Sequence, residues 1–489
     1  NPLERFNDKN FIQKELFFKP KYLDPFVTLE ENQYYNALNS KNTARRLSTI
    51  GAYKFVNIKY KEIDSLLTDS LGVLEANIYL SPLNKRAIRA ELQAVTKSNN
   101  FAGPALSITF SNRNVFNGGE TLNISAKVGY ETQVASGNNA GLSSTELGLK
   151  GELIFPRVIF PFKINTDFFK YNIPKTKTSL SADYLNRSKL YTLLSGTALF
   201  GYAWDANRYI THQINPISIN YTNLSNTKAF EDILDDNPFL RRSFEQQFIS
   251  GLTYSFTYNG MVDAQKTHQF YLNSTLDVAG NSIGLFGKET TPNTPKTFLG
   301  LEYAQFAKAD VDVRYHFNFG KEQVVATRLF AGYGLAYGNS DVIPFVKQYF
   351  SAGPYSVRAF RIRSLGPGTY NGDTNDDGTF FDQTGNIRLE ANVEYRFPIF
   401  NYIKGAVFAD AGNIWNSKEN VSLPGGKFSS DFLSELGMGA GFGVRVDVQG
   451  FVIRFDLAAP FHDPALPKGQ RFNFDVGSPI LNFAIGYPF

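Results

Sequence analysis

Two alternating stretches near the end of the chain decide the fold: Phe442-Gly443-Val444-Arg445-Val446-Asp447-Val448 and Phe451-Val452-Ile453-Arg454-Phe455-Asp456-Leu457. Each places apolar and polar residues in a period of two, which predicts a β-strand with one apolar face. Only Gln449-Gly450 separates the stretches, which predicts a two-residue hairpin. In that hairpin Arg445 lies diagonal to Asp456, and Asp447 lies diagonal to Arg454, so both pairs share the polar face.

The same alternation of apolar and polar residues continues through most of the chain. From Gly103 onward there are about sixteen candidate strands, in a protein with 15% aromatic and only 19% charged residues. An open antiparallel sheet of that size usually closes or splits, and an even strand number is typical of bacterial outer-membrane barrels. The sequence therefore predicts an all-β protein with a 16-stranded antiparallel transmembrane β-barrel. The alternative is a soluble protein of several β-sandwiches.

Composition excludes several functional classes. The chain has 489 residues and no cysteine, which rules out disulfide scaffolds, thiolate metal sites and a cysteine nucleophile. The formal net charge is only +4, so no nucleic-acid partner is expected. The four histidines are scattered and no enzyme motif is present, so we expect no enzyme. They are His212, His268, His316 and His462.

The first ~90 residues have a different pattern. Helical spacing over residues 31–38 and 43–50, with Thr43 as a helix cap, predicts two helices. Strands are predicted over residues 55–60 and 73–80, with a shorter one near 26–29 before them. This order predicts a small α+β module ahead of the sheet.

The direction of the chain predicts which connections face this module. If the chain enters the sheet from the module, the Gln449-Gly450 turn faces the same side, as short periplasmic turns do. Two longer connections, over residues 222–242 and 280–296, are also expected on that inward side. The first of them contains a short helical stretch around Phe230, Ile233 and Leu234.

The segment Gly353-Pro354-Tyr355-Ser356-Val357-Arg358-Ala359-Phe360 is the most informative motif. It resembles the Val-Arg-Gly-Phe/Tyr loop motif of the BamA/TamA outer-membrane assembly superfamily, with Ala359 in place of the glycine. Residues 389–398 and 407–415 are similar to the family's strands twelve and thirteen, and residues 482–489 are similar to its last strand. The sequence around this loop looks most like that of the TamA-like lipoprotein branch, TamL, of Bacteroidetes.

The resemblance implies a domain organisation and a location. Residues 1–90 would form a periplasmic POTRA module, the last of a longer series, and residues 91–489 the barrel, with an in-folded loop at 353–380. The chain lacks a lipidated cysteine, so an anchor would lie upstream of Asn1 or be absent. The bacterial outer membrane is the expected location.

The function implied is assembly or translocation of proteins at the outer membrane. Partners would be outer-membrane lipids, client outer-membrane proteins and a TamB-like periplasm-spanning protein. Three alternatives stay open: the essential BamA insertase of the same superfamily, a passive outer-membrane pore, and an outer-membrane enzyme of the phospholipase or protease type.

The resemblance also implies an ion pair between the loop and the barrel. It places Val357, Arg358, Ala359 and Phe360 at the loop tip, with Arg358 facing Glu394 and Asp410. A guanidinium in a partly dehydrated interior needs carboxylates, and its planar fork suits bidentate pairing. The alternative is a surface arginine in a Gly/Pro-rich loop.

A lateral seam is the second expected feature. Strand 1, near residues 105–111 with Ala105 and Ser107, would meet strand 16 near residues 481–489, with Tyr487, Pro488 and Phe489. Pro488 cannot donate a ladder hydrogen bond, so closure there would be weak and could admit a client strand by β-augmentation. The alternative is that Pro488 lies beyond the ladder.

One metal candidate remains. The pattern Asp373-Thr374-Asn375-Asp376-Asp377-Gly378 matches the first half of a calcium loop, with Asp373, Asn375 and Asp377 as ligands. Its twelfth position is Thr384 instead of the usual glutamate, so a solvated turn is the alternative. No other cofactor is expected.

Overall fold

A sixteen-stranded antiparallel sheet runs through the chain in sequence order, from a strand that begins at Arg86 to one that ends at Ile485. Its first strand therefore spans the boundary predicted between residues 90 and 91. No helix in the described part of the chain is long and apolar enough to cross a membrane.

The computed structural model describes residues 3–63, 72–96, 101–133, 143–162, 168–236, 241, 246, 248–288, 294–371, 383–448, 451–473, 477 and 479–489. The chain divides into two units, Asn1–Asn226 and Thr227–Phe489.

The first unit contains the α+β head and the first strands of the sheet. The head comprises β1 Leu3–Phe6, β2 Lys9–Ile12, α1 Pro20–Leu23, a 3-10 turn at Asp24–Phe26, α2 Ala37–Ser48, β3 Tyr53–Ile63 and β4 Val73–Pro82. The sheet strands of this unit are β5 Arg86–Thr96, β6 Phe101–Arg113, β7 Thr121–Gln133, β8 Ser143–Phe155, β9 Lys175–Arg187, β10 Tyr191–Asp205 and β11 Ile210–Asn226.

The head differs from the prediction in its helices. One helix, α2, replaces the two that were predicted, and it is capped by the side chain of Asn36, which accepts from the Leu38 N–H. Thr43 is instead a buried mid-helix residue that hydrogen-bonds Thr28. Residues 26–29 form no strand, because Phe26 ends the 3-10 turn. The two later strands lie where they were predicted.

The core of the head includes a residue from the sheet connections. Phe18, Phe26, Leu47 and Ile50 are almost fully buried, and Ile173, from the connection between β8 and β9, packs with them. This connection therefore completes the apolar core of the head, and each buried side chain there contributes about 1.5–3 kcal/mol.

One face of the sheet in the first unit is apolar and exposed. Leu180 on β9 and Leu194 on β10 are 63% and 51% exposed. The opposite face carries polar pairs such as Ser181 with Thr197 at 2.6 Å and Lys127 with Glu146 at 2.7 Å. Such an arrangement suits a sheet whose apolar side faces lipid.

The second unit contains the remaining strands of the sheet. They are β12 Ile249–Asn259, β13 His268–Ala279, β16 Phe306–Gly320, β17 Gln323–Ala336, β18 Ile387–Phe400, β19 Ile403–Trp415, β20 Gly437–Val448, β21 Phe451–His462 and β22 Ile480–Ile485. The connections carry α3 Lys228–Asp236, the short pair β14 Thr297–Phe298 and β15 Leu301–Glu302, and 3-10 turns at Gly260–Val262, Ile283–Leu285, Phe345–Lys347 and Phe432–Glu435.

This unit buries charge and exposes apolar side chains. On β21 the side chains of Arg454 and Asp456 are fully buried, whereas Phe455 between them is 44% exposed. On β18, Glu394 is fully buried and Val393 is 44% exposed. This inverted pattern is the one a membrane sheet requires, because lipid solvates its outer face.

The register of the last hairpin follows the prediction only in part. Val448 pairs with Phe451, which leaves Gln449-Gly450 as a two-residue connection outside the described residues. Arg445 binds Asp456 diagonally, with 2.5 Å between Nη1 and Oδ1. Asp447 instead binds Lys404 at 3.1 Å, because the neighbouring strand β19 brings that ammonium closer.

The two longer connections predicted on the inward side lie elsewhere. Residues 227–248 lead into the start of β12, and residues 280–305 leave the end of β13, which pairs antiparallel with β12. Since successive antiparallel strands reverse direction, both connections lie at the same ends of the strands as residues 337–386. The 449–450 connection lies at the opposite ends of the strands, so the inward assignment of the two longer connections was wrong.

Candidate functional site

The loop between β17 and β18 packs against the polar face of the sheet. Its residues are described up to 371 and from 383 onward. Val357, Arg358 and Ala359 are at most 1% exposed, and Phe360 packs on two neighbouring apolar clusters. The tip of the loop is therefore buried against the sheet.

The structure brings Arg358 into contact with both carboxylates expected to face it. Its guanidinium binds Asp410 on β19 through two parallel bonds, Nε to Oδ2 at 2.8 Å and Nη2 to Oδ1 at 2.9 Å. Nη1 lies 2.5 Å from Oε2 of Glu394 on β18. The backbone N–H of Arg358 also donates to Asp410, at 3.1 Å.

The surroundings keep this guanidinium charged. Its central carbon lies 3.4 Å from the ring centroid of Phe408, a cation–π contact. Burial alone would lower the pKa of Arg358, but Asp410, Glu394 and Asp456 hold that pKa above its ordinary value. The side chain is therefore a permanent cation at every physiological pH.

The carboxylates around Arg358 also bind other arginines. Glu394 accepts from Arg396 Nε at 2.8 Å and forms an ion pair with Arg445 at 3.1 Å. Asp456 binds Arg445 and also Arg454, whose Nη1 lies 2.7 Å from Oδ2. We call Arg358, Glu394, Arg396, Asp410, Arg445, Arg454 and Asp456 the charge cluster. Breaking one partner of such a buried cluster leaves uncompensated charge, which costs about 3–5 kcal/mol.

A second set of polar contacts holds the part of the loop before Arg358. The hydroxyl groups of Ser351 and Ser356 both donate to Glu390 on β18, the first at 2.9 Å. Glu390 is paired with Arg328 on β17 at 3.2 Å. Asn392 donates to the carbonyl oxygen of Ser356 at 3.0 Å. Two serine hydroxyl groups and one backbone carbonyl thus fix the loop to β18.

Glycines on β19 and β20 make room for the loop. A Cβ atom at Gly439 would lie 2.0 Å from Cβ of Ala359, and one at Gly437 would lie 2.6 Å from Leu365. A Cβ at Gly412 would lie 3.1 Å from Val357. The methyl group of Ala359, where the motif has glycine, therefore fills the space above Gly439.

The comparisons with known proteins agree with this geometry. The model of the Omp85 superfamily domain matches residues 88–479, most of the chain. The chain belongs to the Omp85 superfamily. Omp85 proteins such as BamA are outer-membrane β-barrel proteins, and this chain is an outer-membrane protein with them. The predicted superfamily and location are confirmed.

Individual relatives of this Omp85 chain are distant. The outer membrane protein assembly factor BamA of Neisseria meningitidis serogroup B is 27% identical over 161 residues, which are 29% of this chain and 20% of that protein. The match thus spans about a fifth of the length of that relative.

Two solved structures share the fold. The BamA of Haemophilus ducreyi lacking POTRA domains 1–3 superposes with a TM-score of 0.58 at 14% identity, over 96% of this chain and 82% of that one. CdiB from Acinetobacter baumannii gives 0.52 at 12% identity, over 96% and 71%. At these identities the likeness concerns the fold.

In this Omp85 chain the loop also contacts the last strand. The Tyr355 hydroxyl donates to the carbonyl oxygen of Ile485 at 2.5 Å. Asn482 donates to the carbonyl oxygen of Arg358 at 2.8 Å, and Arg454 donates to that of Pro354 at 2.8 Å. The loop therefore bridges β18 and β19 to β22.

Removing the Tyr355 hydroxyl tests this bridge. We expect Tyr355→Phe to lower the free energy of unfolding by about 0.5–1.5 kcal/mol, the value of one hydrogen bond, and to speed amide exchange in Ile480–Ile485. Urea unfolding in lipid vesicles and hydrogen-exchange mass spectrometry measure the two effects. Tyr402→Phe, at a 60% exposed tyrosine in the 401–402 turn, is the control and should leave exchange in β22 unchanged.

The residues predicted for the seam lie elsewhere than expected. Ala105 and Ser107 belong to β6, which pairs on one side with β5 and on the other with β7. The outer strand of the sheet is therefore β5, Arg86–Thr96, and the prediction that residues 105–111 form strand 1 was wrong. Apolar and polar residues alternate from Ile88 to Ala94 on β5, so the strand signal was present in the sequence and the prediction overlooked it.

The other end of the predicted seam also differs. The last strand stops at Ile485, and Gly486, with a φ of +87°, turns the chain away from the ladder. Tyr487 then donates to Asp447 at 3.2 Å, and Arg396 donates to the Phe489 backbone oxygen at 3.0 Å. Pro488 lies beyond the ladder, so its missing N–H removes no sheet hydrogen bond.

The calcium candidate lies outside the described residues. Asp373, Asn375 and Asp377 all fall in the segment 372–382. Among the residues that the structure describes, no group of three or more His, Asp or Glu side chains could hold a metal ion.

Sequence reasoning missed several residues of this site. Arg396, Arg454 and Asp456 stand at alternating positions on their strands, so period-two patterning places them on the polar face. It does not show that the loop reaches them. Tyr355 and Asn482 gave no signal, because their partners are backbone atoms 130 and 124 residues away.

Proposed function

We propose that this chain is an assembly or translocation factor for proteins of the outer membrane, of the TamA-like type and most like the TamL branch. The observation that carries the proposal is the buried ion-pair anchor of the Val-Arg-Ala-Phe loop, centred on Arg358. Membership of the Omp85 superfamily supports the general class of activity.

The anchored loop argues against a wide passive pore. Such a pore needs an open polar interior through which solutes diffuse. Here the polar face of the second unit is covered by a loop whose Arg358, Ser351 and Ser356 are buried against it. A covered polar face favours a role in which the loop braces the strands.

The working part that we propose is the outer edge of β22, Ile480–Ile485, the last strand in the order of the sheet. An outer strand offers unpaired backbone groups that accept an added strand. β22 has six residues, whereas its neighbour β21 has twelve, so few ladder bonds hold it. A client strand would pair along this edge and leave as it folds into lipid.

The head has the size and strand order to support a POTRA assignment. We propose that the residues before β5, up to Lys85, form a periplasmic POTRA module built on α2, β3 and β4, with the hairpin β1–β2 as an addition. The partners would be client outer-membrane proteins, outer-membrane lipids and a TamB-like protein. We propose a non-enzymatic role, with client folding into lipid as the source of free energy.

Depletion of the full-length protein in its host tests the proposal. We expect a selective loss of barrel or surface proteins from the outer-membrane proteome, measured by mass spectrometry. A wild-type copy should restore it, Arg358→Ala should restore it poorly, and Arg361→Ala, at an exposed arginine three positions along the loop, should restore it fully.

The outcomes separate the alternatives. A global loss of outer-membrane barrels with loss of viability would favour the BamA insertase over the TamA-like role. An unchanged outer-membrane proteome with altered permeability to small solutes would overturn the assembly role and favour the passive pore.

A further inference from the structure

The connection between β8 and β9 exposes large aromatic side chains. It is described over residues 156–162 and 168–174. Phe160, Phe162 and Phe168 are 48%, 75% and 86% exposed. Exposed apolar side chains that lie close together mark an interaction surface more often than single ones do.

These rings continue the exposed apolar face of the sheet. The Phe160 ring lies 6.5 Å from Tyr202 and 6.0 Å from Phe162, measured between centroids. Phe169 lies 5.8 Å from Trp204 and 5.6 Å from Phe168. The aromatic row thus extends from strand β10 onto the connection.

The sheet face from which the row starts is the lipid-facing one. Tyr202 and Trp204 alternate along β10 with the same period as Leu194, so all three point to one side. That side is exposed and apolar in an outer-membrane protein. Tyrosine and tryptophan rings at the end of such a face are typical of the boundary between hydrocarbon and water.

The other side of the same connection binds and packs against the head. Arg46 on α2 donates to the carbonyl oxygens of Phe169 and Lys170 at 2.8 and 2.9 Å. Arg45 stacks on the Tyr171 ring at 3.5 Å, and Ile173 enters the core of the head. The exposed phenylalanines therefore belong to a segment whose other side is fixed to the head.

We propose that Phe160, Phe162 and Phe168 seat in the interfacial layer of the outer membrane and that this connection holds the head against the bilayer surface. The occupant of the surface is lipid, because the row is continuous with the lipid-facing side of β9 and β10. Lipid contact also stabilises three exposed phenylalanines that water would solvate poorly. This inference concerns the membrane placement of the first unit and does not depend on the proposed function.

The absence of cysteine makes a direct test simple. Single variants Phe162→Cys and Phe168→Cys of the full chain are labelled with a fluorophore in phosphatidylethanolamine/phosphatidylglycerol vesicles. Quenching by lipid-attached nitroxide and by aqueous iodide is then compared. Tyr34→Cys, in the head and 86% exposed like Phe168, is the water-exposed control, and Leu194→Cys is the lipid control.

We expect the labels at positions 162 and 168 to be quenched several-fold more by shallow lipid nitroxide than the label at 34, and less by iodide. Their depth should be shallower than that of the label at 194. Labels that respond to iodide as position 34 does would overturn the proposal and point to a protein partner for this surface.

A second variant guards against an effect of the label itself. Phe162→Ser with Phe168→Ser should fold normally, because both side chains are exposed. In this background a label at Phe160→Cys should lose at least half of the lipid quenching that Phe160→Cys shows alone, since none of the three rings remains. Unchanged quenching would show that the strands alone position this segment and would contradict the proposal.

Discussion

Replacing Arg358 with alanine is expected to lower the free energy of unfolding by about 3–5 kcal/mol. The variant leaves Asp410 without its bidentate partner, and Glu394 loses one of its three arginines, in a site at most 2% exposed. The cation–π contact with Phe408 is lost as well. Urea unfolding in lipid vesicles measures the change, and the same variant should restore the outer-membrane proteome only poorly after depletion.

Two further variants show which property of Arg358 matters. Arg358→Lys keeps the charge but loses the planar fork, so we expect an intermediate loss. Arg361→Ala removes an exposed charge and should change stability by no more than about 0.5 kcal/mol. Equal stabilities of Arg358→Ala and Arg361→Ala would contradict the role of the charge cluster as the anchor of the loop.

Adding a methyl group at Gly439 is expected to destabilise the protein by about 1–3 kcal/mol through overpacking. The new Cβ would lie 2.0 Å from Cβ of Ala359. The loop and β20 cannot move apart easily, because Arg358 binds Asp410 on the neighbouring strand β19. The expected result of Gly439→Ala is a lower urea midpoint and faster amide exchange at residues 357–360.

A compensating change makes this prediction specific. Ala359→Gly removes the clashing methyl group, so the double variant should recover most of the stability lost in Gly439→Ala. Gly437→Ala is the matched control on the same strand, because its Cβ would meet Leu365 at 2.6 Å and not Ala359. Ala359→Gly should leave the Gly437→Ala defect unchanged, and rescue of both variants would argue against a direct contact between positions 359 and 439.

The sheet was predictable where local pattern and burial agree. Alternation along β21 and β20 identified the last hairpin, because one face meets lipid and the other holds charge. β5 was missed although apolar and polar residues alternate from Ile88 to Ala94, because the predicted boundary at residue 90 divided this strand between the head and the sheet. The helix α2 was misplaced for a different reason. Its cap at Asn36 is followed by residues without a clear apolar face, and the burial of Thr43 comes from tertiary contacts with Thr28.

The candidate site was predictable in its centre and not in its surroundings. The resemblance supplied Arg358, Glu394 and Asp410, which the structure brings together. The position of the last residues was not accessible, because a single backbone feature, the positive φ at Gly486, takes Tyr487 away from the strand. A glycine in a terminal strand is compatible with either path, and the choice depends on Arg396 and Asp447, which lie on other strands.

The bridge from the loop to the last strand has a thermodynamic consequence. Any molecule that separates Ile480–Ile485 from β21 must also break the bonds from Tyr355 to Ile485 and from Asn482 to Arg358, or move the loop itself. Such linkage is reciprocal: a ligand that stabilises the loop on Asp410 raises the free energy of strand separation by the same coupling free energy by which strand separation weakens the binding of that ligand. The stability of the six-residue strand Ile480–Ile485 at the sheet edge thus depends on Arg358, which lies 124 positions before Asn482 in the chain.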